Sequence, residues 1–185
     1  MLRTTLLAFL VGCLMAALPA NAQERDPENV LVMELKDGGR VLIQMMPAVA
    51  PKHVEQIKTL TRQGFYDGLV FHRVIDGFMA QTGDPTGTGR GGSDLPNIPA
   101  EFSMEPFNRG AVGMARTPDP NSANSQWFIC FQDCSFLEGE YTVWGRVVEG
   151  MEYVDRIKKA PAGSQSGMVE NPDKIISLDV LADVQ

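Results

Sequence analysis

The sequence predicts a mainly β fold, an antiparallel barrel or sandwich covered by two α-helices, and three observations lead there. Two strand-like runs are followed by a helix, a long group of strands, a second helix and a last strand, an order that does not alternate as parallel α/β units would. Between Phe65 and Val148 helical periodicity is absent, while short runs rich in β-branched and aromatic residues recur between clusters of Gly, Pro, Asn and Asp. Hydrophobic residues make up 44% of the 185, which suffices for one domain with its own core.

The first two runs, Val30–Leu35 and Arg40–Met45, flank Lys-Asp-Gly-Gly and read as a hairpin. Pro51 suits a first helical turn and Gly64 the position past its end; Ala50, Val54, Ile57 and Leu60/Thr61 then share one face. Further strands are expected at Val70–Ile75, Met79–Thr82, Ala111–Ala115, Trp127–Gln132 and Tyr141–Val148. A second helix is expected at Gly150–Lys159, with Met151, Val154 and Ile157 spaced to cover a core. The last strand, Lys174–Leu181, alternates Ile176, Leu178 and Val180 against Ser177 and Asp179.

The amino-terminal residues read as a targeting segment. Arg3 precedes the apolar run Leu6–Leu18, and Ala20-Asn21-Ala22 has the small-x-small pattern of a signal peptidase site. We therefore expect a secretory signal over residues 1–22, cleavage before Gln23, a short disordered leader at 23–29 and a domain at 30–185 in the periplasm. The apolar run is shorter than the roughly 20 residues of a spanning helix, so no membrane insertion is expected after processing. Leu10-Val11-Gly12-Cys13 offers a lipoprotein cleavage box as the alternative, with a lipidated Cys13.

Charge and motifs exclude several functions. The chain carries a formal charge of −7, and losing Arg3 with the signal deepens it, so an electrostatic footprint for nucleic acid or an anionic membrane surface is lacking. Gly87–Gly92, GTGRGG, matches the dinucleotide pattern G-x-G-x-x-G. Ser-Asp-Leu-Pro follows it where a helix should start, and a surface loop is expected instead. His53, His72, Cys130 and Cys134 have no recurrent zinc spacing, and His53 falls on the first helix. Cys130 and Cys134 are beyond disulfide reach in an extended strand unless the chain turns between them, and read as a core thiol and a loop thiol. A Gly-x-Ser-x-Gly elbow is also missing.

What remains is FHRVIDGFMAQTGD, Phe71–Asp84, a hairpin signal carrying a permanent charge. A two-residue Asp76-Gly77 loop would set Arg73 opposite Ala80. A three-residue loop, Asp76-Gly77-Phe78, would set Arg73 opposite Gln81 and Ile75 opposite Met79, gathering Arg73, Met79 and Gln81 on one face. Residue statistics alone read Arg73 as a solvated strand arginine with a local ion pair.

Phe65–Gly89, FYDGLVFHRVIDGFMAQTGDPTGTG, and Gly110–Ile129, GAVGMARTPDPNSANSQWFI, closely resemble the two signature regions of cyclophilin-type peptidyl-prolyl cis-trans isomerases. The likeness runs from about Val30 to Val180, and Met114-Ala115-Arg116-Thr117 with TPDPNSANSQ is similar to the bacterial secreted branch. It implies an eight-stranded antiparallel β-barrel capped by two helices, with a groove on the barrel's outside. By position, Arg73 matches the catalytic arginine and Gln81 its polar partner. Phe78, Met79, Phe128 and Leu137 match the apolar pocket for proline, and Ala115, Arg116 and Gln126 the wall that holds the residues before it. Phe136 stands where a tryptophan is usual, weakening the expected contact with cyclosporin, and Tyr141 where a histidine is usual.

The resemblance implies an isomerase of X–Pro bonds that assists folding of exported proteins. It would act as a monomer, with no metal, nucleotide or redox cofactor, on Pro-containing segments of unfolded or exported chains. A proline-peptide binding or chaperone module without turnover is the second reading. For the processed form, intact-mass measurement of the protein from a secreting host should give a chain beginning at Gln23. A diacylated species beginning at Cys13 would contradict that cleavage.

Overall fold

The computed structural model describes residues 25–185; residues 1–22, where a signal is expected, and Cys13 lie outside the described residues. β1 (Val30–Leu35) and β2 (Gly39–Met45) pair antiparallel around Lys36-Asp37-Gly38, where Asp37 and Gly38 take left-handed φ of 60° and 70°. Gly39 pairs with Leu35, so β2 starts one residue before the expected Arg40. β3 (Arg73–Ile75), β4 (Met79–Thr82), β5 (Ala111–Met114), β6 (Trp127–Cys130), β7 (Val143–Glu149) and β8 (Ser177–Val180) complete an eight-stranded antiparallel sheet in the order β3-β4-β6-β5-β7-β2-β1-β8. Its ends meet where residues 68–71 run against 173–175: Phe71 donates to the Asp173 carbonyl and Ile175 to that of Leu69, each at 2.9 Å.

Helix α1 (Pro51–Arg62) buries Val54, Ile57, Leu60 and Thr61, the expected face, together with His53 and Gln56. Ala50 supplies no side-chain cap. The distant Glu101 does so instead, its carboxylate accepting from the Lys52 and His53 N–H groups at 3.1 Å, where the first-turn donors are otherwise unsatisfied.

Strand alternation divides the apolar residues into two layers. Trp127 and Ile129 of β6 point into the barrel, where Trp127 meets Tyr66 and Trp144 edge to face at 6.1 and 5.8 Å. Phe128 and Cys130 point outward and are still buried, beneath Phe107, Cys134, Leu137 and Val143. The same β6 thus serves a core and a second apolar layer outside it.

Three expectations are corrected. α2 is only Met151–Val154, not Gly150–Lys159. Ile157 still packs inward, but its N–H bonds back three residues to Val154, and the Lys158 N–H is taken by Asp173 at 2.8 Å, so the helix cannot continue. The leader's last residues are ordered: Pro27–Asn29 form a 3-10 turn capped by Asp26, and Glu28 accepts from Arg62 at 2.9 Å. The last strand is Ser177–Val180 rather than Lys174–Leu181, and just before it Ile175 is in the core while Ile176 is 49% exposed. Ile175 donates to Leu69 while Ile176 donates to Glu34, so the chain changes partner between them and the two-residue count slips. Cys130 and Cys134 are free and both buried, the second in the turn after β6.

Both histidines are buried, and burial pushes each pKa below the ordinary 6.5; Glu101 beside His53 and Asp84 near His72 oppose this without reversing it. The folded state therefore binds fewer protons than the unfolded one around that value. Stability should be full above about pH 6.5 and fall as pH drops toward 5, before most carboxylates titrate. Thermal midpoints across that range check this, and a midpoint flat from pH 7 to 5 would refute it.

Candidate active site

The β3–β4 hairpin adopts the three-residue register, pairing Arg73 with Gln81, Val74 with Ala80 and Ile75 with Met79. Gly77 supplies the left-handed φ of 68° that the loop needs, and the Phe78 N–H closes it onto Ile75 at 3.0 Å. Arg73 and Gln81 are therefore fixed as a cross-strand pair. Arg73 Nη1 donates to Gln81 Oε1 at 3.3 Å and approaches Met79 Sδ at 3.9 Å, while Nε donates to the Ser166 carbonyl at 3.0 Å.

The expected local ion pair is not there. Among the described residues no carboxylate lies within salt-bridge distance of Arg73, and Nη2 has no acceptor. Burial pushes the guanidinium's pKa down, with Tyr141 opposing, yet arginine starts so high that it remains charged. Two N–H donors of a half-buried cation are thus unengaged by the described residues.

Gln81 continues the polar contacts by donating to Gln126 Oε1 at 2.9 Å, and Gln126 donates to the Gly91 carbonyl at 2.8 Å. Every residue of the sequence-predicted set except Gln126 lines one groove of about 320 Å³: Arg73, Phe78, Met79, Gln81, Ala115, Arg116, Phe128, Phe136, Leu137 and Tyr141. Gln126 lines an adjoining hollow of about 520 Å³, shared with Gln81, Ala115 and Arg116.

The apolar side of the groove is built on Phe128. Phe107 stacks behind it at 6.0 Å, Tyr141 meets it edge to face at 5.9 Å, and a Cβ on Gly113 would sit 2.5 Å from Phe128 and 2.6 Å from Phe107. Met79 and Leu137 are buried beside it, and Phe78 and Phe136 pair at 5.4 Å. Phe136 is 67% exposed and stands out from the groove's lip.

Arg116 plays a different part from Arg73. It lies 4.5 Å over the Tyr141 ring and donates to the Glu140 carbonyl at 3.0 and 2.8 Å and to that of Thr117 at 2.9 Å. Its donors are spent on bracing Tyr141 and the following loop.

Sequence reasoning missed Gly113, Phe107 and the carbonyls of Ser166 and Gly91. A glycine inside a strand signals close approach and could have pointed to Gly113. The carbonyls leave no trace in residue identity.

The family model for cyclophilin type peptidyl-prolyl cis-trans isomerases matches residues 30–180. A Brucella suis protein named "Probable peptidyl-prolyl cis-trans isomerase" is 50% identical, the match spanning 100% of this chain and 98% of that protein. Rat "Peptidyl-prolyl cis-trans isomerase-like 3" is 40% identical over 70% of this chain and 83% of its own length. Among solved structures, a cyclophilin from Hirschia baltica superposes with a TM-score of 0.75 at 30% identity, covering 86% of this chain and 76% of that one. A Cryptosporidium parvum cyclophilin-type isomerase, solved in the presence of the dipeptide Ala-Pro, gives 0.72 at 26% identity, covering 82% and 98%. With such a groove on such a barrel, the chain belongs to the cyclophilin-type peptidyl-prolyl cis-trans isomerase family. It is an enzyme of that class.

Proposed function

We propose that Arg73 accelerates rotation about X–Pro bonds in segments of exported proteins, with the proline ring held over Phe128. The observation that carries this reading is the guanidinium itself, half-buried beside an apolar pocket and, among the described residues, without a carboxylate partner and with Nη2 unengaged.

Resonance across the C–N bond sets a barrier of about 18–20 kcal/mol, and no covalent bond has to break. As the bond twists, the prolyl nitrogen's lone pair localises and becomes an acceptor. The Nη2 donors bind that state better than either planar isomer, which lowers the barrier rather than merely holding substrate. Phe128, Met79 and Leu137 grip the ring while the preceding residue turns, and they keep out water that would favour the polar planar amide. Gln81 takes up one Nη1 donor, and Ala115, Arg116 and Gln126 line the side where the residues before proline would lie. A rate gain on the order of 10⁵ requires roughly 7 kcal/mol.

The Cryptosporidium parvum isomerase solved in the presence of Ala-Pro supports a proline-containing peptide as the ligand. The setting in the periplasm rests on the signal-like residues 1–22. In a protease-coupled assay on an X–Pro peptide, Arg73→Ala should lower kcat/KM by about 10²- to 10³-fold while retaining the fold. A wild-type rate equal to the uncatalysed one, or an Arg73→Ala variant as fast as wild type, would overturn the proposal.

A further inference from the structure

The glycine-rich segment Gly87–Gly92 stands apart from the proline pocket, yet it contains the carbonyl that orients Gln126. Its shape is set by a buried carboxylate. Asp84, 1% exposed, follows β4 and turns into the segment. Its Oδ1 accepts from the Thr86 N–H at 2.7 Å and the Thr86 hydroxyl at 2.8 Å, and its Oδ2 from the Gly89 N–H at 2.6 Å. The glycines make this wrapping feasible: a Cβ on Gly91 would lie 2.1 Å from Asp84 Oδ1, and Gly89 takes a φ of +83°. Burial alone would raise the Asp84 pKa, but bonds from Thr86, Gly91 and Gly89 outweigh it and bring the value to about 2.

A carbonyl can only accept, so the Gly91 oxygen dictates that Gln126 faces it with Nε2. Gln126 must then present Oε1 to Gln81, which donates to it at 2.9 Å. Gln81 in turn presents Oε1 to Arg73 Nη1 at 3.3 Å. Were the Gly91 carbonyl displaced, Gln126 could turn over and set its Nε2 against that of Gln81, donor facing donor, and Gln81 could then keep Oε1 on Arg73 only by giving up Gln126.

We infer that Asp84 is a positioning residue for the isomerase site: by folding Gly87–Gly92 into place it fixes the polarity of the Gln126–Gln81 relay and so the orientation of Arg73. This rests on the proposed role of Arg73. Asp84 touches neither Arg73 nor the groove, and acts only through Gly91 and the two glutamines.

Asp84→Asn replaces one acceptor oxygen by an NH2 group aimed at other donors. On an X–Pro peptide its kcat should fall about tenfold with KM changed less than about twofold, because the proline pocket is left intact. In ¹⁵N–¹H spectra without substrate, the side-chain amide signals of Gln81 and Gln126 should shift or broaden. Unchanged kcat, or lowered kcat with both amide signals unmoved, would overturn the inference. The amide signals report the relay without turnover: an inactive wild type would sink the proposed function, while unmoved amides in an active enzyme sink only this one. Should Asp84→Asn fail to fold, Thr86→Val decides the matter by removing one donor to Asp84 together with the hydroxyl's contacts to Thr88. Its kcat should drop about threefold with the same amide signals displaced, and Thr86→Ser should restore both. Wild-type kcat and amide signals in Thr86→Val would then overturn the inference.

Discussion

A cation held partly out of water without an anionic partner is costly, because desolvation is not repaid by Coulomb attraction. The groove is organised around that constraint at Arg73. Two neutral acceptors, the Ser166 carbonyl and Gln81 Oε1, engage Nε and Nη1 without neutralising the charge. A carboxylate there would have lowered the energy of the free protein and also masked the donors that the proposed mechanism assigns to the twisting amide. The unfavourable electrostatics are offset by the fold's apolar burial elsewhere, the usual arrangement at a functional site.

That burial comes from one sheet used on both faces. β6 sends Trp127 and Ile129 into the barrel and Phe128 and Cys130 out of it, so the rigidity of the interior is passed directly to the floor of the groove. Gly113 on β5 admits Phe128 against Phe107, and Tyr141, braced by Arg116, closes the other edge of the ring. On the polar side, β3 and β4 place Arg73 and Gln81 in register, and β6 meets β4 with Phe128 opposite Gln81. Arg73, Gln81, Met79 and Phe128 are therefore neighbours on adjacent strands, fixed by ladder hydrogen bonds, while Leu137 and Tyr141 reach the groove from the segment between β6 and β7.

Much of this is legible in the amino-acid sequence. Loop counting in FHRVIDGFMAQTGD leaves Arg73 opposite either Ala80 or Gln81, of which the fold takes the second, and the strand-like runs lie within a few residues of the strands. Residue statistics, however, read Arg73 as an ion-paired surface group, and only the likeness of two signature regions pointed to the groove. What stayed hidden has a common cause. The Ser166 and Gly91 carbonyls belong to the backbone, the helix expected to reach Lys159 is stopped by a side chain at Asp173, and Ile175 displaces Ile176 from the core because the chain changes strand partner there. Each depends on contacts between distant segments, which neither propensity nor periodicity encodes. The dinucleotide-like Gly87–Gly92 is instructive in the same way: its glycines make room for Asp84, a role visible only once the loop is folded.

The central claim is that the planar, unengaged fork of Arg73, and not positive charge alone, lowers the rotational barrier. Arg73→Lys separates the two, since an ammonium keeps the charge and loses the fork. Two-dimensional exchange NMR on an Ala-Pro peptide measures cis–trans interconversion directly, without a coupling protease. The account predicts that Arg73→Lys loses about 10²-fold in catalysed exchange while the peptide still binds at Phe128; exchange within about threefold of wild type would contradict it.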